Sequence, residues 1–128
     1  MNVNRSGFHI LLIEDDADAR DALVALLELD GYRVSATGDG TQGVDLAKTS
    51  NPDVAVIDIG LPGLDGYEVA RRIRAILGPS AVLVALTGYS MPEDRQRATD
   101  AGFDDHVVKP VDPADLSRLL AKLAQGRR

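Results

Sequence analysis

Val54-Ala55-Val56-Ile57-Asp58-Ile59-Gly60-Leu61-Pro62-Gly63 decides the reading of this chain. A continuous apolar run, bounded by Pro52 and Asp53 before it and by Gly60 and Pro62 after it, reads as a strand buried on both faces. One acid, Asp58, stands at its carboxyl end. A charge in that position is costly unless something pairs it, so the rest of the sequence must supply the partner. Asp58 is the candidate nucleophile.

The segments on either side repeat the pattern. Phe8-His9-Ile10-Leu11-Leu12-Ile13 is a first buried strand that ends abruptly in Glu14-Asp15-Asp16. Ala19, Ala22, Leu23, Leu26 and Leu27 recur at helical spacing behind it, with Asp16 near the helix N-terminus, where the dipole favours an acid, and Gly31 placed to stop the helix. Tyr32 to Ala36 reads as a second strand, followed by a glycine-rich turn and a helix through Val44, Leu46 and Ala47. After the opening stretch, Asp65 and Glu68 form a capping box for a helix whose apolar face is Val69, Ala70, Ile73, Ile76 and Leu77, ended by Gly78-Pro79. Ala81 to Leu86 is a fourth buried strand ending at Thr87-Gly88. Ser90-Met91-Pro92-Glu93 then opens an unusually polar helix, whose weak apolar face predicts light anchoring and a movable surface. A short fifth strand near Asp105 to Val108 closes on Lys109-Pro110. Asp112 and Pro113 start a last helix with Leu116, Leu119, Leu120 and Leu123 facing inward.

Five strands alternating with five helices predict an α/β, doubly wound parallel sheet, flavodoxin-like (βα)5, in the order 2-1-3-4-5. The 128 residues are expected to form a single domain with a core over about 8–124. Ligands of such sheets sit beyond the carboxyl ends of the strands, where strand order reverses. That point lies between the first and third strands, whose ends carry Glu14-Asp15 and Asp58. A net charge of −6 without a basic tract argues against nucleic acid as a direct partner. The absence of cysteine excludes thiol chemistry and thiolate metal sites and fits a reducing compartment. No apolar run is long enough to span a bilayer, and the N-terminus is too polar for a signal peptide, so the expected location is the cytoplasm.

Three carboxylates brought together repel one another unless one is protonated or a cation is bound. With oxygen ligands alone the fitting ion is a hard one, Mg²⁺, and Mg²⁺ sites of this kind handle phosphate. Thr87 and Lys109, at the ends of the fourth and fifth strands, supply the hydroxyl and ammonium that a phosphoryl group on Asp58 would need.

These residues together resemble the receiver domain of two-component response regulators, including the single-domain chemotaxis type. The resemblance rests on Glu14-Asp15, on Asp58 before Leu61-Pro62-Gly63 and Asp65-Gly66, on Thr87-Gly88 and on Lys109-Pro110. It implies that Asp58 accepts a phosphoryl group from a histidine kinase or a histidine phosphotransfer protein. It also implies that Asp15, Asp58 and the Gly60 backbone carbonyl ligate Mg²⁺, with Glu14 acting through water, and that Thr87 and Lys109 contact phosphoryl oxygens. Lys109-Pro110 is expected to be cis. Output is expected through the face of the fourth helix, fifth strand and fifth helix, from a monomer or a weak phosphorylation-dependent dimer. Gly60 and Tyr89 flank the phosphoryl site in the family's pattern and are expected to influence how fast the aspartyl phosphate hydrolyses. One departure is His106, which occupies the position of the family's aromatic switch residue and is able to titrate near neutral pH. The wording from Gly102 to Pro110 is similar to receivers attached to hybrid sensor kinases. No output domain is expected within this chain, which ends soon after its last helix.

Two alternatives compete. An aspartyl-phosphate phosphatase of the haloacid dehalogenase type usually has a second acid two residues after the nucleophile, where this chain has Gly60. A pseudo-receiver acting only as a binding fold would not need the complete set of acids, Thr87 and Lys109. The motif Gly38-Asp39-Gly40-Thr41-Gln42-Gly43 matches a dinucleotide-binding fingerprint, but Asp39 would repel a pyrophosphate, and turn chemistry is the expected reason for its glycines.

Overall fold

A computed structural model describes residues 7–88 and 92–126. Five strands, β1 (His9–Ile13), β2 (Arg33–Thr37), β3 (Val54–Asp58), β4 (Val82–Thr87) and β5 (Asp105–Val108), alternate with α1 (Ala17–Leu29), α2 (Gly40–Ser50), α3 (Gly66–Leu77), α4 (Pro92–Ala101) and α5 (Pro113–Gly126). All strand pairs are parallel, in the order β2-β1-β3-β4-β5, the predicted flavodoxin-like arrangement. The second strand lies one residue later than expected, from Arg33 rather than Tyr32. Tyr32 instead packs against Phe8, with ring centroids 5.8 Å apart.

β1 and β3 are buried at every position, whereas the edge strands β2 and β5 are half exposed, and this is why the apolar runs mark the centre of the sheet. Successive side chains alternate between the two faces. Leu11, Ile13, Ala55, Ile57, Leu83 and Ala85 pack on one side with Val69, Ala70 and Ile73 of α3 and with Ala47 of α2. Ile10, Leu12, Val54, Val56, Val84 and Leu86 pack on the other with Leu23 and Leu27 of α1 and with Leu116 and Leu120 of α5.

The helix starts are chemically specified. Asp16 accepts from the amides of Asp18 and Ala19, Asp39 from Thr41, Asp65 from Glu68 and Asp112 from Ala114. The box at Asp65 is only half formed, because the Glu68 carboxylate is drawn to Arg71 and Arg72 at 3.2 and 3.0 Å. Ser90 and Met91, in the other predicted box, lie outside the described residues. α4 buries only Ala98 and Ala101 and carries Arg97 over the Tyr67 ring at 4.1 Å, which bears out its light apolar anchoring.

The glycines after β2 need a correction. Gly40 and Gly43 belong to α2 itself, and packing rather than turn geometry demands them. A Cβ at Gly40 would come within 2.8 Å of Val69, and one at Gly43 would overlap Ile13.

Candidate functional site

The two-residue period of the strands builds the site. On the α1/α5 side, Leu12 is followed by Glu14 just past β1, Val56 by Asp58 at the end of β3 and Val107 by Lys109 just past β5. Each core-facing row therefore ends in a charged group just past the apolar layer, and the parallel register brings these ends together. Glu14 and Asp58 are buried, at 2% and 4% exposure, while Asp15 beside them is exposed.

The Lys109 ammonium lies 3.0 Å from Glu14 Oε1 and 3.1 Å from Asp58 Oδ2. Asp58 Oδ1 accepts from the Gly60 amide at 2.9 Å, and Glu14 Oε2 accepts from the Asp16 amide at 3.2 Å. Glu14, Asp15 and Asp58 each offer a carboxylate oxygen within 4.8 Å of the others, the one such group among the described residues. Those side chains, with Asp16, Ile59, Gly60, Gly88 and Lys109, line an open cleft of about 470 Å³ at the carboxyl edge of the sheet.

The electrostatics divide the two buried acids. Burial, then the hydrogen bond with Asp58, push the Glu14 carboxyl up, and Lys109 only partly offsets this. Burial also pushes Asp58 up, but hydrogen bonds from Glu14, the Gly60 amide and Lys109 together outweigh it and hold Asp58 below the usual carboxylate range. Burial lowers the Lys109 ammonium, and its contacts with Glu14 and Asp58 outweigh that and leave it raised. Of the two acids that share this ammonium, Glu14 is therefore the one that takes up a proton more readily and Asp58 the one that ionises more readily. A deprotonated carboxylate at the mouth of a cleft, with an ammonium beside it, is an oxygen nucleophile with charge neutralisation at hand. An all-oxygen donor set with one exposed acid fits a hard divalent ion.

Thr87 is buried at the end of β4, but it belongs to the opposite row, after Leu83 and Ala85, so Gly88 rather than Thr87 lines the cleft. His106 pairs in register with Ala85 and Val108 with Thr87, which puts Thr87 and half-buried His106 on the same face of the sheet. Lys109-Pro110 is cis, as expected. Tyr89 lies outside the described residues.

Two residues gain a part in the site that the sequence does not assign them: Gly66, present there only as a piece of a motif, and Arg20, which no motif marks. Gly66 donates to the Ile59 carbonyl at 3.3 Å, and a Cβ there would overlap the backbone oxygen of Asp58 and approach Ile59 Cα at 2.6 Å, so the first turn of α3 rests directly on the strand end. Arg20 donates from Nη1 to the Glu14 carbonyl at 2.9 Å. Its position one turn into α1, after the Asp16 cap, was the available signal.

The response regulator receiver domain model matches residues 10–121. The chain is 40% identical over 120 residues to the transcriptional regulatory protein AfsQ1 of Streptomyces coelicolor, covering 93% of this chain and 52% of that protein. It is 38% identical over 112 residues to the uncharacterized 14.6 kDa protein of the sodA1 3′ region of Leptolyngbya boryana, covering 87% and 86%. The chain thus spans about half the length of the transcriptional regulators it matches. Among solved structures, it is similar to the receiver domain of the sensor histidine kinase PA1611 from Pseudomonas aeruginosa, whose active site cleft coordinates a magnesium ion. That match has a TM-score of 0.84 and 37% identity over 93% of this chain and 98% of that one. Topology, the carboxylate cluster at its switch point and these likenesses lead to one conclusion: the chain belongs to the response regulator receiver domain family.

Proposed function

We propose that the chain, as one domain, is a phosphoacceptor of two-component signalling, in which Asp58 takes a phosphoryl group from a phosphohistidine on a histidine kinase or phosphotransfer protein. The observation that carries this reading is the convergence of a buried carboxylate, two further acids and an ammonium in one cleft. In the transfer, an Asp58 carboxylate oxygen forms the new P–O bond as the P–N bond of the donor breaks, and the imidazole nitrogen leaves with the electron pair. Asp58 is ready for this at neutral pH because its carboxyl is held below the usual range. Lys109 already contacts Asp58 Oδ2, so its ammonium is placed to meet phosphoryl oxygens on the same carboxylate. The acids of Glu14, Asp15 and Asp58 with the Gly60 carbonyl would hold Mg²⁺, Glu14 through water, and the ion would neutralise charge on the phosphoryl oxygens.

Thr87 adjoins Gly88 of the cleft lining and lies on the same face of the sheet as His106. A phosphoryl group that draws the Thr87 hydroxyl toward the cleft therefore also disturbs the packing beside His106, and a signal passes to α4, β5 and α5. That face is the proposed contact for the downstream protein, and the cytoplasm is the proposed location. The module performs phosphoryl acceptance and self-hydrolysis rather than turnover of an outside substrate.

Incubation with acetyl phosphate and Mg²⁺, read by intact mass, tests the assignment. One phosphoryl group is expected on the wild-type chain and none on Asp58→Asn. Equal labelling of the variant, or steady hydrolysis of a phosphomonoester by the wild type, overturns it.

A further inference from the structure

Arg20 stands on the first turns of α1, outside the lining of the cleft, and among the described residues it forms no ion pair. Among the described residues its side chain donates one hydrogen bond, to the carbonyl of Glu14 at 2.9 Å. That carbonyl belongs to the peptide unit joining Glu14 to Asp15, so holding it fixes the plane between the Cα atoms that carry two of the three clustered carboxylates. The loop after β2 is shaped to admit the guanidinium. A Cβ at Gly38 would stand 2.5 Å from Arg20 Nη1 and 3.5 Å from Asp15 Cα. Gly38 has no left-handed backbone that would call for glycine, so the space it leaves is what the arginine uses.

We propose that Arg20 is a positioning residue for the divalent cation, seated by Gly38 and acting through the Glu14–Asp15 peptide. This inference rests on the cation-dependent phosphoacceptor reading of the cleft. A neighbouring positive charge by itself weakens binding of a dication, so electrostatics and positioning make opposite predictions when Arg20 is removed. If Arg20 acted only as a charge, Arg20→Gln would bind Mg²⁺ more tightly. If it holds the loop, the variant binds more weakly in spite of the lost repulsion, by about tenfold as for other groups that orient metal ligands.

Gly38→Ala gives a second approach that leaves every charge in place. The added methyl would clash only with the tip of a flexible side chain, its 3.5 Å approach to Asp15 Cα being an ordinary contact, so the fold accommodates it while the guanidinium is displaced. The experiment is calorimetric titration of each full chain with MgCl₂, together with the Tm of each in EDTA. A weaker Kd for both variants with the metal-free Tm unchanged supports the proposal. Unchanged or tighter binding by Arg20→Gln, or a fall in metal-free Tm that parallels the loss of affinity, overturns it while the phosphoacceptor reading stands. Failure of the wild-type chain to bind Mg²⁺ overturns both.

Discussion

Lys109→Met removes the ammonium between Glu14 and Asp58 while keeping most of the side-chain length. The wild-type contacts are 3.0 and 3.1 Å, to acids whose side chains are only 2% and 6% exposed. At an effective dielectric of about 20, each contact has a gross attraction of roughly 5 kcal/mol, most of which offsets desolvation. Removing one partner of a buried ion pair costs about 3–5 kcal/mol, because the remaining charge is left unpaired. Here the loss should sit near the lower bound, since Lys109 is 32% exposed and Glu14 is able to take up a proton. About 3 kcal/mol corresponds to a Tm lower by roughly 12 °C in a domain of this size.

The pH dependence of that loss follows from the same groups. The folded Asp58 pKa is depressed, so its stabilising contribution is present at neutral pH and is lost as pH falls through the carboxylate range. The gap between wild type and Lys109→Met is therefore full from neutral pH down to about pH 4 and narrows as pH falls below that. Thermal melts in EDTA across that range measure it, and adding Glu14→Gln to the variant should restore part of the lost stability. An unchanged Tm at pH 7.5, or a deficit as large at about pH 2.5 as at pH 7.5, would refute Lys109 as the charge that holds the two acids together.

Two further predictions address the opposite edge of the sheet and the turn after β3. His9 is buried, its Nε2 lies 2.7 Å from Ser35 Oγ, and burial, then the Arg33 cation, lower its pKa, with Asp53 and the Ser50 backbone opposing. A depressed folded pKa means that the unfolded chain binds the proton more readily. Stability from His9 is thus full above about pH 6.5 and declines as pH falls below it, and His9→Gln should flatten urea-midpoint profiles between pH 7.5 and 5. Gly66→Ala should lower Tm by about 4–12 °C, for an overpacking cost of about 1–3 kcal/mol beyond the gain in helix propensity, because its Cβ would strike the backbone of Asp58 and Ile59. Gly60→Ala is the control for that melt: its Cβ would find only Asp58 Oδ1 at 3.6 Å, an ordinary contact, so equal losses at both positions would refute the steric argument.

The apolar run from Val54 to Ile57, its counterparts in β1 and β4, and the caps at Asp16, Asp65 and Asp112 made the alternation of strands and helices legible, because burial on both faces and helix-start chemistry are local properties of the chain. The acids at strand ends were legible for the same reason: a charge that interrupts a buried run has to be paired. What the sequence by itself determined is therefore the order of elements and the residue types that reach one edge of the sheet.

Only the tertiary structure decided which of those residues meet. Register and alternation turn Glu14, Asp58 and Lys109 to one side and Thr87 with His106 to the other, a choice that depends on neighbouring strands and cannot be made within one segment. The same holds for Gly40, Gly43 and Gly66, whose missing side chains are explained by what lies across from them, and for Arg20, whose partner is a backbone carbonyl in a different element. A strand end can be read along the chain. A site exists only where several such ends are brought within hydrogen-bond reach, and that distance is set by packing between segments far apart in sequence.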